Sequence, residues 1–76
     1  MVSAVEFIVK SLVNHPDDVE VTRIDDKNFV TIKIFVNKED LGKVIGKNGK
    51  IANAIRTLTR ALGRHENKHV NVKIGE

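Results

Sequence analysis

The sequence predicts an α+β fold in which three helices cover one face of a three-stranded sheet, in the order α-β-β-α-α-β. Apolar residues recur at helical spacing in three separate stretches, and two other stretches alternate apolar with polar residues, as half-buried strands do. The single proline and the five glycines fall at the expected element ends or in turns. With 76 residues the chain has room for one domain and one core.

The first helix is expected over about residues 3 to 14. Val5, Ile8, Val9 and Leu12 sit at i, i+3, i+4 and i+7, and Pro16 stops the helix. Phe7 is expected to pack at the edge of this helix. A hairpin follows. Val19 to Ile24 is rich in β-branched residues, Asp25-Asp26-Lys27-Asn28 supplies turn chemistry, and Val30, Ile32, Ile34 and Val36 alternate, so the apolar face turns inward. Phe29 and Phe35 then share the opposite face with Thr31 and Lys33, either as an exposed apolar spot or partly covered by neighbours.

Glu39 and Asp40 suit the positive end of a helix, and Leu41, Val44 and Ile45 continue it briefly. Gly46-Lys47-Asn48-Gly49 interrupts the pattern. Ile51, Ile55, Leu58 and Leu62 trace a third helix over about residues 50 to 62, with Gly63 as its C-cap. Val70, Val72 and Ile74 mark the last strand.

Charge is distributed unevenly. From Leu41 to Arg64 the chain carries Lys43, Lys47, Lys50, Arg56, Arg60 and Arg64 with no acid, whereas the remainder is net acidic, leaving +3 overall. A basic block in an otherwise acidic domain suits a polyanionic partner, and a solvated helix face is the bland alternative. Cysteine is absent, which removes disulfides and thiolate metal sites and fits a reducing cytoplasm. Neither a secretory signal nor an apolar stretch of bilayer length is present, so a soluble protein without a membrane partner is expected.

The loop within the basic block carries the functional reading. Two glycines flanking two polar residues let the backbone turn tightly and approach a ligand without Cβ obstruction. The loop opens on a helix N-terminus, where unpaired N–H groups and the helix dipole favour a phosphate, and Lys47 and Lys50 add charge beside it. The run Val44-Ile45-Gly46-Lys47-Asn48-Gly49-Lys50-Ile51 resembles the G-x-x-G signature of KH domains, and the element order resembles the type II KH arrangement over essentially the whole chain. Within that family, the chain is most similar to the small bacterial single-KH proteins of the KhpA type.

The resemblance implies single-stranded RNA as the partner, clamped over four nucleotides by the loop, with bases in a groove between the two helices and a strand. On that basis the expected contacts are Gly46, Lys47, Asn48, Gly49, Lys50 and Lys43. Ile45 and Ile51 are the matching apolar positions, and both also lie on core-facing stripes. Arg56 and Arg60 extend the positive surface. The resemblance further implies pairing, as a homodimer or with a larger Jag-type KH protein, and an RNA-chaperone role linked to cell division and wall growth.

Other functions fit the residues less well. A helix-turn-helix DNA reader shares the basic second helix, but the three strands argue against it. A P-loop needs four residues between its glycines followed by Lys-Ser or Lys-Thr, whereas Gly42 to Gly46 encloses three and Lys47 precedes Asn48. No small-molecule substrate or cofactor motif is present. The acid pairs read as turns and helix starts rather than catalytic constellations, and His65 and His69 need not share a face, so no metal is expected. A protein-binding scaffold is the remaining alternative.

Overall fold

The computed structural model describes residues 1–75. Its elements are α1 (Val2–Leu12), β1 (Glu20–Asp25), β2 (Phe29–Phe35), α2 (Leu41–Ile45), α3 (Lys50–Arg64) and β3 (His69–Gly75), and 3₁₀ turns lead into β1, α2 and α3. The expected order is therefore observed. β2 is the central strand, antiparallel to β1 and parallel to β3. Its position follows from its composition. Val30, Ile32 and Ile34 are fully buried and form the middle of the core, with Val5 and Val9 of α1, Val44 of α2, Ile55 of α3, and Val70 and Val72 of β3 around them.

Several boundaries and faces differ from the sequence expectation. α1 ends at Leu12 because the chain is already extended at Val13, and Leu12 is exposed rather than on the core stripe. Phe7 points to solvent, 74% exposed, instead of packing at the helix edge. The hairpin's apolar face is inward in β2, yet Ile24 of β1 pairs with Thr31 on the outer face and is exposed.

α3 departs furthest from the face and length that its apolar spacing predicts. The helix runs through Gly63 to Arg64, and the face against the sheet is Ala52, Ile55, Thr59 and Gly63, with Leu58 exposed. Small residues occupy this face because α3 lies close on β3: a Cβ at Gly63 would collide with the side chain of Val70 and sit 3.2 Å from the Lys68 carbonyl. Glycine is thus required there for close approach and not as a cap. The chain reverses instead through Asn67, at φ +57°, while the Gly63 carbonyl accepts the N–H groups of Glu66 and Lys68. Gly42 also lies within an element, α2, so the glycines are not all at ends and turns, although Gly75 does close β3. Thr59 is buried without penalty because its hydroxyl donates to the Ile55 carbonyl at 2.6 Å.

Asp40 is the buried acid of the core edge. Its carboxylate accepts the backbone N–H groups of Asn14 at 3.1 Å and His15 at 2.9 Å, which ties the end of α1 to the start of α2. Burial pushes its carboxyl up, but those two N–H bonds, with the charges of His15 and Lys43, outweigh burial and hold it below the ordinary aspartate range. Its role reaches beyond the expected favourable charge at a helix start.

Candidate nucleic-acid interface

α2 and α3 meet at a sharp corner made by Gly46 to Gly49. The Gly46 N–H closes α2 on the Gly42 carbonyl at 2.9 Å, and the backbone then swings to φ +76°, ψ 174°, a region open essentially to glycine alone. A Cβ at Gly46 would lie 2.6 Å from Cγ1 of Ile51, so the loop backbone rests directly on that side chain. Asn48 and Gly49 both take left-handed conformations, at φ +57° and +75°. Asparagine tolerates this better than most residues, which accounts for its place in the loop.

The corner turns Lys47 and Asn48 outward, with exposed Lys50 at the first turn of α3. Two of the amides expected to be open there are used within the loop. The Gly49 N–H donates to the Gly46 carbonyl at 3.2 Å, and the Lys50 N–H donates to the Lys47 carbonyl. An anion at this corner therefore meets the Lys47, Asn48 and Lys50 side chains more than a full set of helix-end amides.

The two isoleucines separate. Ile51 is partly buried, packed against the core beneath Gly46, whereas Ile45 is 38% exposed at the end of α2. Lys43 is exposed and stands 3.9 Å from the Asp40 carboxylate, so its charge is partly engaged. Along α3, Arg56 touches Asn53 at 3.4 Å and Arg60 is exposed. Among the described residues, none of Lys47, Lys50, Arg56, Arg60 and Arg64 forms an ion pair. Arg23 and Lys68, by contrast, are engaged with acids. Arg23 bonds Asp25 at 2.7 Å and Glu66 at 2.8 Å, which raises its guanidinium pKa and lowers both carboxyls, and Lys68 reaches Asp25 at 3.7 Å. The loop and α3 thus carry a run of cations without acid partners among the described residues, while Lys10, Lys27, Lys33, Lys38 and Lys73 stand unpaired elsewhere on the fold. The sequence points to the loop and α3 cations except Arg64 as contacts and to Phe29 with Phe35 as an apolar spot on the outer strand face, but it assigns no role to His69, whose ring lies 5.7 Å from that of Phe29 on the outer sheet face.

Residues 2–74 match the model of the family described as KhpA/KhpB, KH domain. The chain is 49% identical over 69 residues to the RNA-binding protein KhpA of Listeria monocytogenes, covering 91% of each chain. It is 47% identical over 74 residues to the protein of that name from Clostridium perfringens, covering 97% of this chain and 99% of the other. The protein of that name from Aquifex aeolicus is 46% identical over 72 residues, 95% of this chain and 91% of the other. Among solved structures, the chain is similar to the crystal structure of Era in complex with MgGDPNP and nucleotides 1506–1542 of 16S ribosomal RNA. The TM-score is 0.64 at 20% identity, covering 97% of this chain and 28% of that one, a likeness of fold.

Proposed function

This chain belongs to the KhpA/KhpB KH-domain family and is an RNA-binding protein rather than an enzyme, and we propose that it holds single-stranded RNA at the Gly46 to Gly49 loop. The observation that carries this reading is the loop's backbone. A turn that only glycine permits, seated on Ile51, presents Lys47 and Asn48 to solvent at the mouth of a helix whose cations lack acid partners among the described residues. Such a corner lets a phosphate backbone approach closely and meet charge on arrival.

In this reading the Gly46 and Gly49 backbone admits the strand, and Lys47, Lys50 and Lys43 neutralise successive phosphates. Asn48 offers both a donor and an acceptor. Ile45, exposed at the rim, supplies an apolar surface for a base, while Ile51 acts from below by fixing the loop. Arg56 and Arg60 carry the strand's phosphates along α3. The whole chain then works as one KH domain. No helix of the described residues is long and apolar enough to cross a membrane, and on this reading the protein works in the cytoplasm. Family membership supports the further reading that it pairs with itself or with a larger Jag-type KH protein and serves as an RNA chaperone tied to cell division and wall growth.

The test is RNA binding by fluorescence anisotropy for the wild type and for the double variant Lys47→Asp, Asn48→Asp, with circular dichroism on both. Binding should fall by at least about tenfold, because two phosphate contacts become repulsive, while the spectrum stays unchanged. A folded variant that binds as tightly as the wild type would remove the loop from the mechanism.

A further inference from the structure

α3 extends the basic surface well beyond the loop. At about 1.5 Å per residue, Arg60 and Arg64 stand roughly 15 and 21 Å along the helix from Lys50. There an open groove lies between the end of α3 and the edge of the sheet, lined by Arg60, Arg64, Phe29, His69 and Asn71. Phe29 and His69 are direct partners in the parallel β2–β3 pair, their rings tilted by 38° to one another. Phe29 remains 49% exposed.

The chemistry of the groove is mixed in an informative way. An open aromatic ring offers a face on which any base can stack, and stacking of this kind is tolerant of sequence. Arg60 and Arg64 are free of acid partners among the described residues, and a guanidinium matches a phosphate in two-point geometry. Lys68 also borders the groove, but Asp25 already engages it. The Asn71 amide can donate to and accept from a base edge. A purely apolar partner would have to desolvate the arginines flanking the ring, whereas a nucleotide satisfies ring and cations together.

We propose that this groove is a second nucleotide site for the same RNA strand, taking a base on Phe29 and His69 and its phosphate on Arg64, with Arg60 shared between this site and the loop. The inference rests on the loop being the primary contact. It adds a site on the outer sheet face, beyond a four-nucleotide clamp, and predicts that affinity grows when the strand is long enough to reach it.

Because the chain contains neither Trp nor Tyr, Phe29→Trp provides a single fluorescent reporter in the groove. The probes are oligouridylates of four and ten nucleotides. Ten-nucleotide RNA should quench the indole emission of the Phe29→Trp variant, and four-nucleotide RNA, added until the Lys50 amide shift saturates, should leave it unchanged. In anisotropy with the longer probe, Phe29→Leu and Arg64→Gln should each weaken binding by about fivefold or more. Wild-type affinity in Phe29→Leu, together with an unmoved indole signal at saturation by the longer RNA, would overturn the proposal and leave the patch to a protein partner. The loop variant judges the primary reading separately, since its loss of binding stands whether or not the groove responds.

Discussion

At Gly46 two constraints coincide: a backbone conformation essentially closed to other residues, and an Ile51 side chain where a Cβ would go. Gly46→Ala therefore has to strain the backbone and displace Ile51. We expect Tm to fall by roughly 5–10 °C, with RNA affinity lost alongside, as measured by thermal melts and anisotropy. Asp40 makes a different kind of demand, because its charge is what satisfies two backbone amides. Its carboxyl titrates below the ordinary aspartate range in the folded state. The unfolded chain therefore takes up this proton first as pH falls, so the stabilisation is complete above about pH 4 and is lost below it. Thermal melts across pH 2 to 7 should show Asp40→Asn less stable than the wild type at neutral pH, with the difference shrinking toward acid. A constant difference over that range would mean that the charge contributes nothing.

Among the elements, α3 is where periodicity alone points to the wrong face. Ile51, Ile55, Leu58 and Leu62 form an acceptable apolar stripe, but the helix is rotated so that Ala52, Thr59 and Gly63 reach the sheet with Ile55. Small side chains let α3 approach β3, and Val70 fills the space that Gly63 leaves. A large side chain at the contact would force the two apart. Ile55→Ala should then cost about 2–4 kcal/mol in chemical denaturation, and Leu58→Ala, at a site 51% exposed, less than about 1 kcal/mol. Equal costs would restore the stripe read from spacing. The short α2 presents no comparable ambiguity, because its length leaves only Val44 fully buried.

At the scale of the whole molecule, Asp25 and Glu66 engage Arg23 and Lys68, and Asp40 stands near Lys43, whereas Lys47, Lys50, Arg56, Arg60 and Arg64 of the loop and α3 have no acid partners among the described residues. If three or four of those cations neutralise phosphates, log K against log salt should fall with a slope of roughly −2 to −3 on single-stranded RNA. A slope near zero would point to recognition without phosphate contacts. Much of this protein could be read before any coordinates. The element order, the core of β2, the Gly46 to Gly49 corner and the basic block all follow from residues close together in the chain, because periodicity, turn chemistry and charge runs are local properties. The tertiary structure alone decided the central place of β2, the rotation of α3 that exposes Leu58 and makes Gly63 indispensable, the link from Asp40 to the end of α1, and the meeting of Phe29, His69 and Arg64 in one groove. These contacts join residues far apart in sequence, and they depend on strand order and helix orientation, which are set by how whole faces pack and are written in no single segment.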